Sequence, residues 1–330
     1  MTYARVAIDS PLPQLDRLFD YQVPDELASL VKPGVRISVP FGRGTAKHSG
    51  YVVEITDTAS FDGQVSAITE VISPMPVLKP EIYQLARAVA DRQAASVADV
   101  LRLAVPTRSV AVEKKALALE VAIAPAGKQA VGYRETALQR PVQIDDQPAW
   151  VASFLSRIAA EVGEGRSLIA IVPDYRDQAV LFEAVAKTSA AAFLVDYSTD
   201  QTPSKRYAGF LKCLQSSTSV VVGSRAAIFA PVNNLGAILL WDDGDHTMVE
   251  QASPYFHVRD VALVRQQQTQ CNIFFAGHSR STEVQRLVEL GYLTDTTENF
   301  AVPKLAVSVN DSRVDSMAWQ AIRQALETGP

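Results

Sequence analysis

Between residues 168 and 277 the sequence carries five short, unbroken apolar runs: LIAIV (168–172), AAFLV (191–195), SVVVG (219–223), GAILLW (236–241) and NIFFAG (272–277). A strand with one face in water alternates apolar and polar residues. An unbroken run instead puts apolar side chains on both faces, which requires cover on both sides, as in a parallel sheet. The stretches 149–162, 177–187, 204–214, 257–268 and 281–290 between and after these runs read as helices. Strand and helix in alternation predict a doubly wound α/β domain over 148–330.

Residues 1–76 follow a different grammar. ARVAID, LFDYQVP, GVRISVPFG, SGYVVEI and SAITEVIS are short β-rich runs, punctuated by Pro33-Gly34 and by the glycines at 42 and 44. They predict a small, mostly antiparallel β-domain. Ile82, Leu85, Ala86 and Val89 then recur at helical spacing, and Ser96 is placed to cap a second helix that Pro106 stops. Two short helices in succession predict a winged-helix-like module over 77–107. Residues 108–147 show no sustained periodicity, contain Pro125, Gly127, Gly132 and Pro141, and are expected to be a linker. The fold class expected is thus α/β and multidomain.

Composition removes several alternatives. With 330 residues, 48% of them hydrophobic and 20% charged, the chain is long enough for more than one core and falls outside the disordered class. No apolar run approaches the roughly 20 residues of a membrane span, and MTYARVAIDSPLP does not read as a secretion signal, so a cytoplasmic location is expected. Cys213 and Cys271 lie far apart without metal-ligand spacing and read as packing residues. A net charge of −5 is the wrong sign for coating nucleic acid, so any contact with DNA has to be local.

Five segments, in order, carry a resemblance: LDRLFDYQVP with PGVRISVPFGRG, GYVVEI, LARAVADRQAASVADVLRLAVP, VVVGSRAAIFAPVNNLGAILLWDDGD and PYFHVRDVALVR. Together they resemble the bacterial primosomal protein N-prime, the PriA replication-restart helicase family. The resemblance implies that the β-domain accepts the 3′ end of the nascent strand at a fork, that the next module is a winged helix, and that the α/β part is the first, RecA-like helicase lobe. It implies as partners forked and single-stranded DNA, a replicative helicase or its loader, and single-stranded DNA-binding protein. The family uses ATP with magnesium, and zinc. Its second lobe and cysteine-rich zinc insertion have no counterpart here, so the chain reads as a truncated, N-terminal half of a divergent member.

Site residues follow from the same resemblance. Phe19, Asp20 and Gly42 match positions that bind the terminal nucleotide: an aromatic for stacking, a carboxylate for the sugar hydroxyl, a glycine for close approach. The bland alternative makes Phe19 a core strand residue, Asp20 a solvated face and Gly42 a hairpin turn. The family's basic residue before the strand equivalent to AITEV is Ser66 here. Arg36, Arg43, Lys47 and His48 stand around one turn and supply local positive charge, either to DNA backbone or to solvent. Ser224 and Arg225 follow a buried strand at the sheet edge where α/β proteins place ligands, and the resemblance turns them toward DNA.

The motor chemistry is another matter. A phosphate loop needs glycines whose backbone N–H groups cradle phosphates, a Lys for the β- and γ-phosphates and a Ser or Thr for Mg²⁺. No Gly-x-x-x-x-Gly-Lys-Ser/Thr occurs in the chain; before the helix at 149 stands RPVQIDDQPAW, with Asp145 and Asp146 in place of glycine and lysine. The acidic pair that should close the fourth apolar strand reads Trp241, Asp242, Asp243, Gly244, Asp245, with Trp241 on the first carboxylate position. Asp242, Asp243 and Asp245 form a degenerate acidic motif, either a solvated turn or a lone cation site. The coupling motif after the fifth strand is AGHSRS (276–281), where the family has Gly-Ser-Ala-Thr-Pro-Ser. These departures predict a DNA-binding protein of replication restart without helicase activity, with no catalytic residues and no cofactor of its own. Two alternatives stay open: an active 3′–5′ helicase with an unconventional ATP site, and an interaction scaffold that does not bind DNA.

Overall fold

The computed structural model describes residues 1–41, 47–118, 130–144, 146–298 and 313–328. Two units separate, Met1–Thr297 and Glu298–Pro330. In the first, the N-terminal runs form an antiparallel sheet of β1 (Tyr3–Ile8), β2 (Leu18–Gln22), β3 (Arg36–Pro40), β4 (Lys47–Thr56) and β5 (Glu70–Ser73), in the order β2-β1-β4-β3-β5. One face is apolar and closed: Val6, Val35, Ile37, Val39 and Val52 are fully buried. The hairpin register sets Phe19 opposite Val6 and Asp20 opposite Arg5. Gly34 makes the turn into β3 at φ +90°, and a Cβ there would lie 2.5 Å from the Leu78 carbonyl oxygen, so only glycine fits.

The helices that follow are α1 (Pro80–Gln93), α2 (Val97–Ala104) and α3 (Val110–Leu117). Ser96 and Asp99 form a capping box at the start of α2. The apolar faces of α1 and α2 do not close a core of their own; Leu85, Val89, Val100 and Leu101 share one continuous core with a face of the large sheet. They are tied to the β-sheet by two carboxylates. Asp16 accepts from the Arg87 guanidinium at 2.7 Å and from the Val97 backbone N–H at 2.8 Å, while Asp9 pairs with Arg36 and Arg102.

The large sheet contains β6 (Arg134–Leu138), β9 (Ser167–Ile171), β10 (Leu194–Tyr197), β11 (Val220–Gly223), β12 (Leu235–Trp241), β13 (Asn272–Gly277) and β14 (Thr294–Asp295); β7 (Gln143–Ile144) and β8 (Gln147–Pro148) form a separate small hairpin. Its order is β10-β11-β9-β12-β13-β6-β14, with every pairing parallel. Its strands β9, β11, β12 and β13 are apolar on both faces. Ile169, Val221, Ile238 and Ile273 point into the core shared with α1 and α2, while Leu168, Val220, Leu239 and Phe274 point into a second core on the other side. The helices are α4 (Ala149–Gly163), α5 (Tyr175–Ala186), α6 (Pro203–Gln215), α7 (Val258–Thr269) and α8 (Thr282–Glu289). This is the doubly wound parallel sheet that the apolar runs imply.

One expectation needs correcting. Residues 108–147 are not simply a linker, because α3 and the inner strand β6 lie within them. β6 is short, and only Thr136 and Ala137 of its five residues are buried, so it leaves no run to read. Cys213 and Cys271 are buried free thiols, as their spacing implies. In the second unit the one described helix is α9 (Ser316–Thr328), with Met317, Trp319, Ile322 and Leu326 exposed. No helix among the described residues is long and apolar enough to cross a membrane.

Candidate functional site

Strand β2 carries Leu18 to Gln22 along the edge of the antiparallel sheet, and the segment Ser66–Ile68 runs beside it, joined by the Gln22 N–H to the Ser66 carbonyl at 2.9 Å. Between β2, the end of β3 and the loop at 60–66 opens a cavity of about 420 Å³, lined by Phe19, Asp20, Phe41, Ser60, Phe61 and Ser66 among others. That volume falls in the range of about 300–1,000 Å³ usual for small-ligand sites.

Aromatic rings dominate its walls. Phe19 and Phe41 meet edge to face at 5.1 Å, and the Arg17 guanidinium sits 4.8 Å from the Phe19 ring centre. His48 packs against the far side of Phe41 at 5.8 Å. Tyr21 donates to the Pro40 carbonyl at 3.1 Å, which fixes the end of β3 against β2; burial pushes its phenol up to about 12. Phe61 is the third wall and is 63% exposed, unusual for so large an apolar side chain.

Asp20 explains why Phe61 stands there. Its carboxylate Oδ2 accepts from the Ser60 backbone N–H at 2.7 Å, the Ser60 hydroxyl at 2.6 Å and the Phe61 N–H at 3.2 Å, and its side chain is only 4% exposed. Arg5 lies 3.7 Å from its other oxygen. In this structure the carboxylate that the resemblance aligns with the sugar hydroxyl anchors the loop that carries Phe61. Phe41 and Phe61 complete the pocket; in sequence Phe41 only ends the β-rich run GVRISVPFG and Phe61 falls between runs, so neither is marked as a site residue.

Other residues singled out from the sequence lie elsewhere. Lys47 opens β4 in register with Pro40, a residue of the pocket wall, and is exposed; it does not itself line the pocket. Arg36 begins β3, at the end away from Phe41, where it pairs with Asp9 and donates to the Ser49 hydroxyl; it is not a wall of this pocket. Gly42, Arg43 and Asp145 lie outside the described residues. Arg225 is engaged by Glu250 at 2.9 Å and by the Thr247 carbonyl, while the Ser224 hydroxyl is buried without a hydrogen-bond partner among the described residues.

At the carboxyl edge of the parallel sheet, the β6–α4 connection holds the β7–β8 hairpin and ends on Pro148, which gives α4 no side-chain cap. Trp150 stacks on Trp241 at 4.6 Å, and His278 stands edge-on to Trp241 at 5.0 Å. Asp243 is buried and committed: Arg259 donates to it at 3.0 Å and the Ser281 hydroxyl at 2.6 Å. Asp245 caps the turn at Thr247, which holds its carboxyl below the usual aspartate range. Asp242 and Asp177 go the other way: burial first, then neighbouring carboxylates, push both upward. Among the described residues no three acidic, His or Cys side chains converge as a metal site.

Residues 5–106 match the 3'DNA-binding domain (3'BD) of PriA. The match therefore runs through the antiparallel sheet and on into α1 and α2. A probable replication restart protein PriA of Mycobacterium leprae is 34% identical over 353 aligned positions, covering 96% of this chain and 54% of that protein. The replication restart protein PriA of Bacillus subtilis is 32% identical over 93, covering 28% of this chain and 11% of that protein. The chain thus spans about half the length of the mycobacterial relatives it matches. Among solved structures, RecG bound to a three-way DNA junction covers 76% of this chain and 34% of its own at 11% identity, with a TM-score of 0.37, too loose to bear on the site. A strand-end domain matched across the segment that builds the pocket, together with a third of the residues shared along nearly the whole chain, makes this protein a member of the PriA replication-restart family.

Proposed function

We propose that this chain takes the free 3′ end of a DNA strand into the pocket between Phe19, Phe41 and Phe61, and that its α/β part does not hydrolyse ATP. The observation that carries the first half is a nucleotide-sized cavity walled by three phenylalanines inside the stretch matched to a 3'DNA-binding domain. Aromatic faces accept any base by stacking, each worth about 1–3 kcal/mol, so the pocket selects an unpaired end rather than a sequence. Arg17 in the wall, and Lys47 in register with the wall residue Pro40, supply local positive charge on a chain that is acidic overall.

The second half rests on the carboxyl edge of the sheet. Phosphates there would face Asp242 and Asp177, whose carboxyls already repel one another, and would find no lysine-bearing glycine loop in the chain. The buried carboxylate at this edge, Asp243, is occupied by Arg259 and Ser281 and is not open to a cation. Assembly of a replicative helicase or its loader at abandoned forks, with single-stranded DNA-binding protein nearby, belongs to this proposal through the resemblance alone.

The test compares a labelled fork with a 3′-OH against the same fork blocked by a 3′-phosphate. Preference for the free end is expected, and Phe19→Ala should weaken it by roughly tenfold, the loss of one stacked base. Equal binding of both forks, or none at low salt, would leave the interaction-scaffold reading in front. ATP hydrolysis is measured in parallel with forked DNA present; turnover above background would establish the active-helicase alternative instead.

A further inference from the structure

A cavity of about 410 Å³ opens at the amino edge of the parallel sheet, where the chain enters β9 and β12. Its walls include Lys79, Arg166, Arg265, Asn233 and Thr269, and its acidic lining residue is Glu81. Three cations thus converge on one space. Two have carboxylate partners: Arg166 donates to Glu161 at 2.5 Å, and Lys79 lies 3.5 Å from Glu81 while donating to Asn233 and the Val232 carbonyl. Arg265 does not. It is 3% exposed and donates to the carbonyls of Ile228 and Ala230, with no carboxylate in ion-pair range among the described residues.

Two carbonyl bonds account for Arg265 as a clamp on the 228–230 segment, but its nearest carboxylate influence is Glu81 across the cavity, beyond ion-pair range, and a buried cation without a direct partner is disfavoured. Burial and the neighbouring cation both depress Lys79, and burial lowers Arg265 to about 10. Both shifts run in the direction that a bound anion would reverse. Lys79 and Arg265 are also drawn from separate elements, the cap of α1 and the last turns of α7, so their convergence is not local sequence charge.

We propose that this cavity is a phosphate-binding site, formed by Lys79 and Arg265; Asn233 and Thr269 line it with their donors already committed to backbone carbonyls. It is separate from the strand-end pocket and does not depend on the reading given to that pocket. The phosphate comes either from a nucleic-acid backbone or from a mononucleotide.

Thermal unfolding of the full chain is followed in inorganic phosphate and in sodium chloride at equal ionic strength. Phosphate is expected to raise the midpoint beyond chloride, with an affinity roughly tenfold weaker in Lys79→Gln, the loss of one charge-assisted bond. Glu81→Gln, which removes the acidic lining residue, is expected to tighten binding, an effect no folding defect imitates. A midpoint that follows ionic strength alone, or a phosphate effect that neither variant moves in these directions, overturns the proposal. Competition by an oligonucleotide with a blocked 3′ end assigns the backbone as the source, and competition by ATP assigns the mononucleotide.

Discussion

At the scale of single residues, the strand-end pocket depends on a carboxylate that touches its loop. Asp20 spends three hydrogen bonds on Ser60 and Phe61, so Asp20→Ala and Phe61→Ala act on the same wall. Each alone is expected to weaken 3′-end binding by about 1–3 kcal/mol, and the double variant by little more than either. Fork-binding isotherms of the three variants check this; additive losses would mean that Asp20 meets the DNA directly. Glu113 has a purely structural part. Burial would raise its carboxyl, but hydrogen bonds from Arg108, Tyr207 and Ser73 outweigh that and hold it below its usual 4.5. The unfolded state therefore binds the proton more tightly, and the stability Glu113 supplies is present above pH 4.5 and lost as the pH falls through the lowered value. Glu113→Gln should cost roughly 1–3 kcal/mol at neutral pH and flatten the acid limb of the stability curve. Asp242, raised above 3.8 by burial and then by Asp245 and Asp243, carries the opposite sign: its penalty appears as the pH rises through its raised value. It sits at φ +49°, a conformation asparagine tolerates, so Asp242→Asn should stabilise the protein by a few tenths to about 1 kcal/mol at pH 7 and by nothing at pH 3, read from urea midpoints.

At the scale of elements, the turns matter as much as the strands. Gly34→Ala would force a Cβ onto the Leu78 carbonyl oxygen in a left-handed conformation, and a loss of roughly 1–3 kcal/mol is expected in equilibrium denaturation. The elements themselves were legible where periodicity is strong. Four of the five apolar runs and the helices between them are recovered with only small shifts at their ends, because two-sided burial demands unbroken hydrophobicity. The run at 191–195 is different, three of its residues belonging to the 3-10 turn Ser189–Phe193 and only Leu194 and Val195 to the edge strand β10. β6 escapes notice because it shows only two buried residues inside a stretch rich in glycine, proline and charge. The pocket divides in the same way. Phe19 is marked by the family's motif, whereas Phe41 and Phe61 come together only once β3 and the loop at 60–66 close on β2, a juxtaposition no local pattern records. Nor does the sequence show that Arg36 turns toward α2, since the strand places it at the end of β3 opposite to Phe41.

At the scale of the molecule, α1 and α2 share one core with the α/β sheet, while the antiparallel sheet keeps an apolar core of its own. Leu85→Ala should lower stability by about 2–5 kcal/mol, and hydrogen exchange should quicken in α7 and β12 as well as in α1, because all three line the same cluster. Exchange that quickens in α1 alone would show that the two sheets unfold independently. The three tryptophans are placed so that the protein is its own optical probe. Trp150 and Trp241 lie face to face at 4.6 Å in the interior, with His278 edge-on beside them, whereas Trp319 stands 58% exposed on α9. The interior pair should give a blue-shifted emission and an exciton couplet in far-ultraviolet circular dichroism, while Trp319 emits to the red and is open to soluble quenchers. Light alone then tells a change at the carboxyl edge of the parallel sheet from one in the Glu298–Pro330 unit, without a label attached to either.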